Sequence, residues 1–167
     1  TAWTAYVNGW TWPTREVFRD VVKKLADLAG VNCPEREWSP EELKRAEERG
    51  RRASLLEAFL DITRDALEGE EGAEARDYLE RRGLSAAAPG LGFLPSVEKA
   101  RADIKARGFS NDEVTASGVL NREWEGRLII PWRDRWGNLA TFAARALPGK
   151  KDNGKKYLYL AGVEKAP

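Results

Sequence analysis

Residues 126–145 read GRLIIPWRDRWGNLATFAAR and decide the fold of the second half of the chain. Two stretches rich in apolar and β-branched side chains, residues 127–132 and 139–146, flank the turn-forming tetrapeptide DRWG at residues 134–137. A further strand is predicted at residues 157–160, after an Asp-Asn-Gly turn signal. The pattern therefore predicts at least three antiparallel strands.

The chain before this hairpin has a helical pattern. Apolar residues at 3.6-residue spacing predict a helix that ends at Gly30, and Ser39, Pro40 and Glu42 predict a capped helix from residue 40 to about 67. Gly50 is a candidate kink or interruption in that second helix.

Shorter helices are predicted nearer the hairpin, at residues 73–82, between Ser96 and Gly108, and after a second capping box that begins at Ser110. Residues 85–95 are rich in Ala, Gly and Pro, which predicts no regular structure there. The fold class is therefore α+β, with a helical N-terminal portion followed by a small lobe of at least three antiparallel strands and short packing helices.

Composition excludes several classes of function. The chain has 167 residues, of which 42% are hydrophobic and 33% charged, and it contains no histidine. A Ser-His-Asp triad and a histidine-ligated metal are therefore impossible in this segment. The single cysteine, Cys33, excludes an internal disulfide and a multi-cysteine zinc site, and we interpret it as a small buried hydrophobe. No apolar run approaches the roughly 18 residues that a membrane span needs, so we expect no membrane contact.

Charge is unevenly distributed along the chain. The formal net charge is +1, yet residues 35–82 carry 15 acidic and 10 basic side chains, whereas residues 122–156 carry 9 basic and 4 acidic ones. A local basic face of this kind is typical of a polyanion-binding site, although a solvated surface with chance clustering gives the same counts.

Five segments resemble motifs of bacterial-type (DnaG-like) DNA primases, in the same order and at the same spacing. Residues 75–84, ARDYLERRGL, resemble "xxYLxxRGL", and residues 126–145 resemble "GRIIFPIRDxxGxxxGFGGR". Residues 156–158, KYL, resemble the start of "KYLNS", and residues 106–120 resemble "xxGFSxxELxxAGLL". Residues 18–31 are similar to the helix that ends the zinc-binding domain of that family. The resemblance covers nearly the whole chain.

The sequence departs from the family pattern at three places. Residues 84–95 are a shortened form of a longer family segment, Ala143-Ala144 replaces Gly-Gly, and Tyr159-Leu160 replaces Asn-Ser. The last two changes lie where the family approaches nucleotide and template. They indicate a divergent member, of the kind that a phage, plasmid or other mobile element would encode.

The resemblance implies a nucleotidyltransferase, a DNA-directed RNA polymerase that synthesises short RNA primers on single-stranded DNA during replication. Its catalytic Mg²⁺ or Mn²⁺ would be bound by a Toprim domain after this segment, and a zinc ribbon with Zn²⁺ would precede it. The chain contains no Met, which fits a start within a longer protein. We therefore expect no catalytic residue, metal or cofactor in this segment, and no polymerisation by it alone.

The resemblance also implies domain boundaries and partners. Residues 1–31 would be the tail of the zinc-binding domain region, 32–71 a helical linker, 72–160 the N-terminal subdomain of the primase core, and 161–167 the lead-in to the Toprim domain. Expected partners are the single-stranded DNA template, nucleoside triphosphates and, through the parent protein, a replicative helicase. The expected location is cytoplasmic, in a bacterium or encoded by a phage or plasmid.

The resemblance assigns template or nucleotide-phosphate binding to Arg127, Arg145 and Lys156, with Tyr157 beside them. Arg145 is the strongest candidate, because a planar guanidinium suits bidentate phosphate binding. The alternatives are an ion pair between Arg145 and an acid such as Asp134, and a role for Arg127 in ordering the hairpin.

Aromatic and further basic residues surround these candidates. Trp132 and Trp136 are candidates for base stacking; for Trp132 packing in the core is favoured, and for Trp136 covering the hairpin edge is an equal alternative. Auxiliary basic residues could add attraction to DNA, although Arg133 is expected instead to shape the turn. These auxiliary residues are Arg133, Arg135, Lys150, Lys151 and Lys155.

Two other functions remain open on the sequence alone. The chain could be a catalytically inactive single-stranded DNA-binding module of a mobile element or of a phage primase-helicase. It could also be an adaptor that docks a replicative helicase through its acidic helical half, residues 41–80.

Overall fold

The computed structural model describes residues 15–32, 38–84, 90–134, 137–149 and 154–160. Within them the chain forms five α-helices and four strands. It divides into two units, residues 1–43 and residues 44–167. The helices are α1 (Arg15–Ala29), α2 (Pro40–Glu68), α3 (Ala73–Arg81), α4 (Val97–Ala106) and α5 (Asn111–Ser117). The strands are β1 (Gly92–Leu94), β2 (Arg127–Arg133), β3 (Leu139–Ala146) and β4 (Tyr157–Tyr159).

The first unit contains helix α1. The helix ends just before Gly30, whose positive φ of 64° only glycine adopts without cost, as the sequence predicts. Val21 is buried on the apolar stripe of the helix, whereas Leu28 is 75% exposed.

Helix α2 runs without interruption for 29 residues, so Gly50 does not interrupt it. Its predicted capping box is present, because the Ser39 N–H donates to Glu42 Oε2 at 3.0 Å and the Glu42 N–H donates to Ser39 Oγ at 3.2 Å. Its C-terminal half is buried in the second unit, with Leu55 and Phe59 almost fully covered. The large apolar side chains of this half are the reason that the helix forms part of the core.

The four strands form one antiparallel sheet in the order β1-β2-β3-β4. The prediction of at least three antiparallel strands is confirmed, as is the α+β class. The prediction that residues 85–95 lack regular structure is wrong at β1, which pairs with the start of β2; residues 85–89 lie outside the described part.

Both faces of the sheet are covered by apolar side chains. On one face Ile129, Phe142 and Ala144 pack against α2, α4 and α5, and Phe142 meets the Phe59 ring edge-on at 5.3 Å. On the other face Leu128 and Phe93 pack against Tyr78 and Leu79 of the short helix α3. Since α3 is nine residues long, it covers only part of that second face, and the remainder carries the residues described next.

Candidate nucleic-acid interface

Arg145 lies on the sheet face that α3 partly covers. Its guanidinium carbon lies 5.0 Å from the centroid of the Tyr157 ring and 5.5 Å from that of Tyr78, and its Nη1 donates to the Tyr157 hydroxyl. Its Nε is buried and has no hydrogen-bond partner among the described residues. Two aromatic rings therefore fix the guanidinium, and the contacts are of the cation–π kind.

The described residues place no carboxylate within ion-pair distance of Arg145. Asp134, the acid considered for that role, accepts hydrogen bonds from the backbone and side-chain N–H groups of Asn138 at 2.9 and 3.1 Å. The alternative prediction, an ion pair between Asp134 and Arg145, is therefore wrong. Within the described part of the chain, the charge of Arg145 is not paired with a carboxylate.

A second arginine, Arg82, lies beside the same tyrosine of α3. Its Nε donates to the Tyr78 hydroxyl at 3.1 Å, and its guanidinium carbon is 5.6 Å from the ring centroid. Burial raises the pKa of Tyr78, but the hydrogen bond from Arg82 and the charge of Arg145 outweigh it, so this pKa lies below its ordinary value. A shallow cavity of about 230 Å³ is lined by Tyr78, Arg82, Arg145, Tyr157 and apolar neighbours.

Sequence reasoning did not assign Tyr78 and Arg82 to the site. Both lie in the segment ARDYLERRGL, so the motif itself contained the signal. What the sequence could not show is that α3 packs on the same sheet face as Arg145.

Arg127 has a different environment from Arg145, although both lie in central strands. It is 6% exposed, and its Nε and Nη1 donate to the backbone carbonyls of Glu123 at 2.7 Å and Lys155 at 2.9 Å. These bonds tie the segment before β4 to the 3₁₀ turn at Arg122–Trp124. These contacts give Arg127 a structural role, although they join the segments before β2 and before β4 and not the two strands of the hairpin.

Lys156, Tyr157 and Lys155 lie at the start of β4, where the chain is open to solvent. Lys156 is exposed, and its backbone carbonyl accepts the Ala146 N–H at 3.0 Å, which anchors its position next to β3. Tyr157 is 39% exposed and lies directly opposite Arg145. The Lys155 ammonium is 3.6 Å from the Glu123 carboxylate. The structure thus brings Arg145, Tyr157 and Lys156 to one end of the sheet.

The side chain of Trp132 is 48% exposed, so the favoured prediction that it packs in the core is wrong. It lies near the end of β2 opposite Thr141, on the same sheet face as Arg145. Trp136, Arg135, Lys150 and Lys151 lie outside the described residues.

Arg133 is engaged within the chain. Its guanidinium binds Glu57 of α2 through two hydrogen bonds, of 2.8 and 3.2 Å, and also donates to the Gly137 carbonyl at 3.0 Å. The hydrogen bond to Glu57 raises the pKa of Arg133 above its ordinary value. These contacts agree with the expectation that Arg133 shapes the turn.

The described residues contain no group of three or more His, Cys, Asp or Glu side chains that could hold a metal ion. Among the same residues no helix is both long and apolar enough to cross a membrane.

Comparison with known proteins shows the family to which the chain belongs. A family model described as the DNA primase catalytic core, N-terminal domain, matches residues 62–162. The chain belongs to this primase family. The DNA primase of Mycolicibacterium smegmatis is 33% identical to it in an alignment of 155 positions, which covers 84% of this chain and 24% of that primase. The chain therefore spans about a quarter of the length of this curated relative.

Solved structures of primases share the fold. The RNA polymerase domain of Mycobacterium tuberculosis primase DnaG, in complex with double-stranded DNA, aligns with a TM-score of 0.61 and 29% identity. The alignment covers 67% of this primase-core chain and 39% of that domain. The same domain in complex with a double-stranded oligomer that has a 6-nucleotide overhang aligns with a TM-score of 0.60 and 29% identity, covering 66% of this chain and 38% of that one.

Proposed function

We propose that this chain is the part of a DNA primase that grips the single-stranded template, and that Arg145 and Lys156 bind its phosphates. The observation that carries the proposal is the Arg145 guanidinium, which two tyrosine rings hold at the partly covered face of the sheet. No carboxylate in the described part neutralises it. A fixed guanidinium loses little conformational entropy when it binds a phosphate, and its planar N–H donors suit phosphate oxygens.

In the parent protein this binding of the template would serve primer synthesis, the DNA-directed polymerisation of ribonucleotides. Membership of the primase family supports this, as do related primase domains that were solved with DNA. The carboxylates for Mg²⁺ or Mn²⁺ would come from a Toprim domain, and Zn²⁺ would be bound by a zinc ribbon. A replicative helicase and nucleoside triphosphates would be partners of the parent. The present chain would contribute affinity for the template and no catalytic group.

The proposal is tested by titrating a fluorescently labelled single-stranded oligonucleotide with the 167-residue chain at several salt concentrations, followed by anisotropy. Arg145→Ala and Lys156→Ala are each expected to weaken binding roughly ten- to 100-fold, because a charge-assisted hydrogen bond contributes roughly 1.5–3 kcal/mol. Each loss of a phosphate contact should also reduce the slope of log K against log salt by about 0.7.

The matched control is Lys105→Ala, which removes an exposed cation from α4 on the opposite side of the sheet. It is expected to leave both the affinity and the salt slope close to those of the parent chain. If Arg145→Ala and Lys156→Ala bind as tightly as Lys105→Ala, the proposed phosphate contacts are rejected.

A further inference from the structure

Three exposed aromatic side chains lie on the sheet face that carries Arg145. Residues directly opposite each other in antiparallel strands share a face, and alternate residues along a strand return to it. Tyr157 lies opposite Arg145, and Tyr159 lies opposite Ala143, two residues earlier in β3. Trp132 lies opposite Thr141, two residues earlier again. Trp132, Tyr157 and Tyr159 are therefore on one face, and they are 48%, 39% and 53% exposed.

The middle strand between these rings carries small side chains. Thr141 and Ala143 of β3 lie on this face, with Trp132 in β2 on one side and Tyr159 in β4 on the other. Because neighbouring strands lie about 4.8 Å apart, β2 and β4 are separated by about 10 Å across β3. Large rings on the two flanking strands, β2 and β4, therefore border a strip of small side chains on β3, which includes the buried Ala143 and is called the trough below.

Arg145 lies at one end of this trough. It is the next residue of β3 on the same face after Ala143, and it is packed between Tyr157 and Tyr78. Helix α3 covers the sheet beyond that point, so it closes this end of the trough. The trough therefore has aromatic walls and a cationic end, a combination that suits a chain of bases joined by phosphates.

The chemistry of the walls favours a nucleic-acid strand over a purely apolar ligand. A tryptophan and a tyrosine present flat π faces, on which any nucleobase can stack. Tyr159 also stands where the primase motif has Asn, and Ala143 where it has Gly.

We propose that Trp132 and Tyr159 stack nucleobases of the same single strand whose phosphates Arg145 binds. The proposal rests on the function proposed above. It adds to the affinity for the strand a contribution from contacts with the bases, beside that from the phosphates. Arg145 holds the backbone at one end, while the two rings hold bases above β3. The stacking is independent of base identity, since every base has a π face.

The test compares two oligonucleotides of equal length, one ordinary and one with abasic sites in its central positions, bound by the 167-residue chain. Tyr159→Ala and Trp132→Ala are each expected to weaken binding of the ordinary strand roughly five- to 100-fold. Both should leave binding of the abasic strand, and the salt slope, nearly unchanged. Tyr159→Phe keeps the ring and should bind like the parent chain.

The outcomes separate this inference from the proposed function. Equal affinity of the parent chain for the two strands, or unchanged affinity in Tyr159→Ala, overturns base stacking while leaving the phosphate contacts of Arg145 intact. Failure to bind either strand overturns both proposals. The thermal midpoint of each variant is measured first, so that a loss of binding is counted only for a folded chain.

A different occupant of the trough is also detectable. If the DNA-free chain self-associates in sedimentation and Tyr159→Ala abolishes that association, the rings form a protein contact, and the stacking proposal is overturned.

Discussion

At the scale of single residues, Gly92 shows how closely β1 approaches α2. A Cβ at this position would lie 2.3 Å from Thr63 Oγ1 and 3.1 Å from the Thr63 carbonyl carbon. Thr63 cannot easily yield, because it is fully buried and its hydroxyl donates to the Leu60 carbonyl at 3.0 Å. We expect Gly92→Ala to lower the free energy of unfolding by about 1–3 kcal/mol, through overpacking, as measured by urea denaturation.

Gly50→Ala is the matched control for that substitution. Gly50 lies inside α2, and a Cβ there would meet no atom within 4 Å. The substitution should raise the free energy of unfolding by about 0.5–1 kcal/mol, because alanine is the better helix former. If both alanines stabilise the protein, the close packing of β1 on Thr63 is wrong.

The two arginines of the central strands show the limit of prediction from residue type. The primase motifs indicated both Arg127 and Arg145 as phosphate contacts, with Arg145 as the stronger candidate. In the structure the guanidinium of Arg127 is buried and donates hydrogen bonds to backbone carbonyls, whereas Arg145 lines a cavity. The difference arises from what packs over each position of the sheet, which depends on contacts between residues far apart in sequence.

At the scale of secondary-structure elements, the helices were predictable because their signals are local. Capping residues, 3.6-residue spacing and closing glycines lie within each segment, and both predicted capping boxes are present. Strand β1 was missed because it has three residues, contains Gly92 and pairs with residues 127–129. Its stability comes from that distant partner, so its own sequence carries no strand signal.

The capping box of α5 makes the stability of the protein depend on pH. The Arg51 Nε donates to Glu113 at 2.6 Å and the Ser110 N–H donates to it at 2.7 Å, and these bonds lower the pKa of Glu113 from 4.5 to about 2. Because the pKa is lower in the folded state, the carboxylate contributes stability that is fully present above pH 4.5 and is lost as the pH falls to about 2.

We therefore expect Glu113→Gln to flatten the fall of the thermal midpoint over this pH range, with a lower midpoint at neutral pH. Glu98→Gln, which removes an exposed carboxylate from α4, is the control, and its curve should keep the shape of the parent curve. A parent-like pH dependence in Glu113→Gln would mean that other carboxylates determine the acid sensitivity.

At the scale of the whole molecule, the α+β class and the antiparallel hairpin were predictable, whereas the partial cover of one sheet face was not. Nothing in residues 126–160 indicates that α3 packs on that face and leaves Trp132 and Tyr159 exposed. The candidate site depends on this uneven cover, since the same residues beneath a longer helix would form an ordinary core.

The second unit contains its own core, and this leads to a prediction about the independence of its fold. Both apolar clusters consist of residues between Leu55 and Leu160. A chain of residues 38–167 keeps these clusters and also Ser39, the cap of α2. We expect it to unfold in one cooperative transition in urea, with a midpoint close to that of the 167-residue chain, because the apolar area buried in the core is retained.

The same truncated chain should keep the affinity of the 167-residue chain for a single-stranded oligonucleotide, since Arg145, Lys156 and the aromatic trough all lie within it. Helical circular dichroism should fall by the contribution of α1, which has 15 residues. A gradual, non-cooperative urea curve would mean that residues 1–37 are needed for the fold. A cooperative curve with much weaker DNA binding would instead mean that residues 1–37 contribute to the affinity for the template.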